Sequence, residues 1–288
     1  MKKQPILQAA ENLPKSILLF VKGLHYISPF LTLKLLILLL TKPIKFKIPE
    51  REKGFIEKAK QSKLYVPSLN KTIQLYRLEN QGPKVLLVHG WSGRGSQLFA
   101  IASKCHDQGF DVTTFDAPAH GKSDTRNTLL LEFVRCVEYL SETLGPYDYA
   151  IGHSFGGISV LNAIRLNTKF KKVVVISMQE DIIESFRQFI NVFKLPHDYV
   201  NRISQFYYDK YMLKVASFSP VNFVKQINTP TLVVHCKNDI DVPVNAAKIV
   251  YKKLPNSKLF LTKQCGHRRI LRDEIVINEI ISFLNCHT

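Results

Sequence analysis

Short unbroken apolar runs recur along the chain, separated by stretches with helical spacing. The runs at 85–88, 110–115, 149–151, 171–176, 231–235 and 258–261 suit strands buried on both faces of a parallel sheet. Between them, 97–108, 128–144, Gly157 to Ile164 and 273–285 predict helices. The second presents Leu130, Phe133, Val134, Val137 and Leu140 on one side, and the third buries Ile158, Leu161 and Ile164. This alternation predicts an α/β fold: a mostly parallel central sheet with helices on both faces. Leu64 to Val66 and Ile73 to Leu78, with Asn70-Lys71 near the turn, predict an opening hairpin. Residues 179–228 break the rhythm and are rich in aromatics, which predicts an inserted helical cap. The core is then 64–178 plus 229–288. The pocket is expected to be built by the cap, with a few of its aromatics over the active centre.

Residues 1–63 predict a helical extension ahead of the core. Segment 16–40 is very apolar, yet Lys22 and Lys34 leave only Gly23 to Leu33 uncharged between them, and Pro29 interrupts that gap. A spanning helix needs about 20 largely uncharged residues, so neither a spanning segment nor a signal peptide is expected. Two short helices are expected instead. The second starts at Ser28 and Pro29, is stopped by Pro43, and is expected to pack its wide apolar stripe against the body.

Charge changes this picture at one place. The net charge is +17, and residues 1–63 hold thirteen Lys/Arg against four acids, so about half the excess lies in the first quarter. Helix-turn-helix, zinc-finger and RNP signatures are missing, so no nucleic-acid partner is expected. A peripheral contact of this basic, apolar segment with an anionic membrane is the sharper expectation, and simple solubility the plainer one. Five scattered cysteines (105, 136, 236, 265 and 286) suggest neither disulfides nor a zinc site and fit a cytoplasmic location, with possible attachment at the inner membrane surface.

Candidate chemistry centres on Gly152-His153-Ser154-Phe155-Gly156. A serine on a tight strand-to-helix turn is pushed outward, and positions two before and two after it must be small. A hydroxyl needs a base and the base an orienting acid. Ser154, Asp239 and His267 occur in the order Ser…Asp…His, each just past a predicted strand. Asp241 competes with Asp239 for the acid role; Asp116 and Asp124 are weaker candidates because they precede the serine. Backbone N–H groups of Phe155 and of the His89-Gly90-Trp91 turn, best at Trp91, are expected to form an oxyanion hole.

Taken together, His89-Gly90-Trp91, Asp116-x-Pro118-x-His120-Gly121-x-Ser123, the Ser154 turn, Asp239-x-x-x-Pro243 and Gly266-His267 resemble the α/β-hydrolase fold superfamily in its capped, lipase/esterase-like branch, over about residues 64–285. The resemblance implies hydrolysis of a small-molecule acyl ester or thioester through an acyl-serine, with no metal or organic cofactor. It leaves two rivals: a lipase, thioesterase or acyltransferase at a membrane surface, and a ligand-binding member without turnover. Ala119 replaces a usual glycine, and Lys237 sits where glycine often follows the strand.

Overall fold

The apolar runs pair into one sheet. A computed structural model describes residues 15–286, so the first fourteen residues of the expected extension lie outside it. Its strands are β1 (Lys60–Val66), β2 (Lys71–Leu78), β3 (Lys84–Val88), β4 (Asp111–Asp116), β5 (Tyr149–His153), β6 (Lys172–Ile176), β7 (Thr231–Cys236) and β8 (Ser257–Thr262). They lie in the order β1-β2-β4-β3-β5-β6-β7-β8. The hairpin pairs with itself and with β4 antiparallel; every other pairing is parallel. The helices are α1 (Lys15–Ile27), α2 (Pro29–Thr41), α3 (Glu50–Lys58), α4 (Phe99–Asp107), α5 (Leu130–Thr143), α6 (Phe155–Arg165), α7 (Ile182–Val192), α8 (Asp198–Tyr211), α9 (Val244–Lys253), α10 (Gly266–Arg269) and α11 (Glu274–Asn285).

Alternate residues of each strand serve opposite cores. Leu86 and Val88 of β3 join Phe133, Val137 and Leu140 of α5 and Val160 and Leu161 of α6. Val85 and Leu87 join Ile101 and Cys105 of α4 and Ile277, Ile280 and Leu284 of α11. Each such side chain, fully buried, contributes about 1.5–3 kcal/mol. Lys172, at the start of β6, is buried and donates to the carbonyls of Phe283 (2.9 Å) and Cys286, tying down the end of α11. This two-sided packing makes the carboxyl ends of β3, β5, β7 and β8 a single rim, the place where open α/β sheets carry their ligands.

The extension departs from expectation. α2 starts as predicted, with the Leu31 N–H donating to Ser28 Oγ and Pro29 in the first turn. It buries only Thr32 and Leu36, however, while Phe30, Leu31 and Leu38 are exposed. A helix apolar all round needs cover on every side, and the body offers it on one. That cover is the cap: Val21 and Leu36 share a cluster with Ile190, Phe193, Tyr199 and Ile203, and His25 Nδ1 lies 2.9 Å from the Tyr199 hydroxyl. α3 has no counterpart among the expected elements. Among the described residues no helix is long and apolar enough to cross a membrane.

Candidate active site

Ser154 sits between β5 and α6 with φ 51° and ψ −116°, a region that side chains rarely adopt. The register Val88↔Gly152 brings the end of β3 beside it, and the Ser154 N–H donates to the Ile176 carbonyl of β6 at 2.7 Å. The small positions on either side are required by backbone. A Cβ on Gly152 would lie 2.6 Å from the Gly156 oxygen, and one on Gly156 would lie 2.2 Å from the Val88 oxygen. A Cβ on Gly90 would stand 3.1 Å from Ser154 Cβ, so the β3 turn passes directly over the serine.

His267, in α10, donates from Nδ1 to Asp239 Oδ2 at 2.8 Å. The other oxygen of Asp239 accepts the N–H groups of Asp241 and Val242, both at 2.9 Å. Burial pushes the Asp239 carboxyl up, but the bond from His267 and these N–H groups outweigh it and hold it below the usual 3.8. The nearby ring of His235 donates to the Val242 carbonyl at 3.0 Å. Asp239, Asp241 and His267 place donor atoms within 4.8 Å of one another, as a cation site would. Asp241 lines the cavity described below but meets Asp239 through its backbone. Asp116 is spent on loop geometry, accepting from Gly95 N–H, Lys122 N–H and the Tyr76 hydroxyl. Asp124 is half-exposed beside Lys63. The structure thus brings Asp239 and His267 into contact. Ser154 Oγ makes no hydrogen bond among the described residues; it shares a cavity with His267, and such contacts commonly tighten only when substrate is bound.

Three histidines brace the turns around the serine. His89 Nε2 accepts the Ala117 N–H at 3.0 Å while Nδ1 donates to the Gly90 carbonyl at 2.7 Å. His120 Nε2 accepts the Ser92 N–H at 3.0 Å while Nδ1 donates to the Pro118 carbonyl at 3.0 Å. His153 donates from Nε2 to the His267 carbonyl at 2.9 Å, leaving its buried Nδ1 without a partner among the described residues. Burial drives all three down from 6.5: His89 far down, His120 to about 4, and His153, helped by the charge of His267, to about 3. Their folded pKa values are depressed, so between those values and 6.5 the unfolded chain binds more protons. Stability is therefore whole above 6.5 and falls as pH drops, at about 1.4 kcal/mol per pH unit for each group. Urea unfolding at pH 7 and pH 5 is expected to show this loss, and His120→Asn to reduce its slope. Equal stability at both values would contradict the assignment of these rings as buried and neutral.

A cavity of about 510 Å³ opens over this rim, lined by Trp91, Ser154, Phe155 and His267 from the core. The Trp91 and Phe155 N–H groups donate no hydrogen bond among the described residues. Phe155 is the first residue of α6, where N–H groups have no helical partner. The Trp91 ring packs edge-on against Phe155 at 5.4 Å and against His120 at 5.3 Å. Phe186, Phe189 and Tyr207 come from the cap, as expected. The cap does not build the pocket alone: Leu39, Leu40, Ile44 and Phe46 of the extension complete it.

Residues 83–205 match the family described as the alpha/beta hydrolase fold. The chain has the α/β-hydrolase fold. It is 21% identical to a pimeloyl-[acyl-carrier protein] methyl ester esterase of Nitrosomonas europaea over 237 residues, covering 66% of this chain and 90% of that one. Its fold is similar to that of an esterase from Pyrococcus furiosus (TM-score 0.63, 18% identity, 85% and 97% of the two chains). It is also similar to that of an esterase from Exiguobacterium antarcticum (TM-score 0.62, 16% identity, 79% and 100%).

In this α/β-hydrolase-fold chain the extension also grips the turn after β3. Glu52 of α3, 1% exposed, forms a two-pronged ion pair with Arg94 at 2.7 and 2.8 Å and accepts from Ser96. The Ile44 N–H donates to Ser92 Oγ at 3.0 Å, and Lys45 Nζ donates to the Gly121 carbonyl at 3.0 Å. No sequence signal marks Glu52, since nothing in a run of charges tells which member is buried. His153 is equally silent, because it fills an unrestricted position of the serine motif.

Proposed function

We propose that this protein is a serine hydrolase that cleaves a carboxylic ester or thioester through an acyl-serine intermediate. The observation that carries the reading is the His267–Asp239 hydrogen bond at the same cavity as a serine held at φ 51°. With Nδ1–H committed to Asp239, Nε2 of the neutral ring is the free base. Ser154 Oγ attacks the acyl carbon and its proton passes to His267 Nε2. The N–H groups of Trp91 and Phe155 stabilise the tetrahedral oxyanion. Collapse breaks the acyl–oxygen or acyl–sulfur bond, and the leaving alcohol or thiol takes the proton from His267. Water then attacks the acyl-serine with His267 again as base, releasing the acid and restoring Ser154.

A fluorophosphonate probe tests this, because it phosphonylates only an activated serine. Rapid labelling of the wild type, lost in Ser154→Ala and His267→Ala, is expected. A folded wild type that does not label would sink the reading and favour a ligand-binding protein. The Trp91 contribution is through its backbone, so Trp91→Phe is expected to keep substantial kcat on a short-chain ester. Losing the donor itself would cost about 10²–10³. A fall of that size in a folded Trp91→Phe would place the role in the indole.

A further inference from the structure

The outer faces of α1 and α2 carry an apolar surface that none of the described residues covers. On α1, Leu19, Phe20, Tyr26 and Ile27 are 71%, 63%, 77% and 82% exposed. Their spacing of one, seven and eight residues places them on one side of the helix. On α2, Phe30 is 63% and Leu38 is 51% exposed, eight residues apart and so on one side as well. The opposite sides, at Val21 and Leu36, are buried against the cap. Isolated exposed leucines are ordinary, but a two-helix face of this kind marks an interaction surface.

Charge selects the partner. Residues 15–49 hold six lysines and no acidic residue. Lys15, Lys22, Lys34 and Lys42 are exposed beside the apolar face, and Lys34 Nζ stands 4.4 Å from the Phe30 ring centre. A second copy of this chain would bring like charges together. An anionic lipid surface supplies both apolar depth and negative charge, the combination that holds an interfacial helix.

The surface also leads to the candidate active site. Leu39, Ile44 and Phe46 are exposed at 37%, 53% and 50%, and the same three residues line the cavity over Ser154. We infer that the α1–α2 hairpin is a docking surface for an anionic phospholipid membrane and that the cavity takes acyl esters of amphiphiles from that membrane. The second half of this inference rests on the hydrolase reading; the first does not.

The test is flotation of the full chain with vesicles of equal parts phosphatidylglycerol and phosphatidylcholine, and with phosphatidylcholine alone. Binding to the anionic vesicles is expected at low salt, weakened at least tenfold on the neutral ones. The quadruple variant Leu19→Ser, Phe20→Ser, Tyr26→Ser, Ile27→Ser is expected to lose flotation. It should keep hydrolysis of a soluble short-chain ester and lose at least tenfold on a long-chain ester embedded in the anionic vesicles. Lys22→Glu with Lys34→Glu, which leaves the apolar face intact, provides a second check and is expected to lose anionic binding. No flotation of the wild type, or flotation untouched by both variants, would overturn the inference. So would a concentration-dependent dimer that the quadruple variant abolishes and vesicles do not compete for. Normal flotation with no turnover of either ester would sink the hydrolase reading and leave the docking surface standing.

Discussion

Ser154→Ala is expected to lower kcat for a soluble ester by about 10⁶, with the fold intact. The size follows from the site acting as a unit. In the proposed mechanism, without Oγ there is no acyl acceptor, and His267 and the N–H groups of Trp91 and Phe155 have no attack to assist. Alanine keeps the Cβ, so the backbone at φ 51° stays as strained as before. Ser154→Gly removes that Cβ and is expected to raise stability by about 1 kcal/mol at equal loss of activity. Steady-state kinetics and thermal unfolding of both variants decide this. Activity of Ser154→Ala within tenfold of the wild type would place the nucleophile elsewhere and end the proposed mechanism. A stable glycine variant beside an equally inactive alanine variant would show that the strained turn is held for its geometry.

The elements that position this serine can be read directly because their signals are local. A buried parallel strand is an apolar run, and the turn after it is marked by glycine, serine, aspartate or histidine. That is why Ser154, Asp239 and His267 are visible with their order. It is also why Gly152 and Gly156 stand out as small: a side chain at either would meet backbone within 2.6 Å. Choosing Asp239 over Asp241 rests on distance from the strand end, whereas its contact to His267 is visible only in the fold. What stays hidden depends on partners distant in sequence. Helical periodicity at 29–41 shows an apolar helix but not how many of its sides will be covered; only the cap determines that. Glu52 is indistinguishable from its solvated neighbours until Arg94, 42 residues away, is placed against it. Ala119 shows the converse. Its φ of 67° explains why glycine is usual there, yet the chain holds that conformation with alanine, buried between hydrogen-bonded turns.

Asp239→Asn is expected to lower kcat by about 10⁴ with little change in structure. The hydrogen bonds around the carboxylate dictate this. One oxygen of Asp239 faces two donors, the N–H groups of Asp241 and Val242. An asparagine must turn its only oxygen to that side, which points its NH₂ at His267 Nδ1. That nitrogen then has to accept, so the proton moves to Nε2, and the ring can no longer take the proton of Ser154. Asp241→Asn leaves the backbone donor in place and should cost far less; an equal loss in both variants would give Asp241 the orienting role. The pH dependence provides an independent readout. The folded pKa of Asp239 lies below its usual 3.8, so its contribution to stability is present above that value and is lost as pH falls through the folded one. The Asp239 carboxyl's own share of the stability difference between wild type and Asp239→Asn is therefore expected to shrink as pH falls below about 4. His89 and His120, whose shifts do not involve Asp239, cancel from that difference; the charge of Asp239 raises His153 and His235, so those two do not. A difference that instead grows below about pH 4 would mean that the carboxyl is protonated in the folded state, and then it could not orient His267 as proposed.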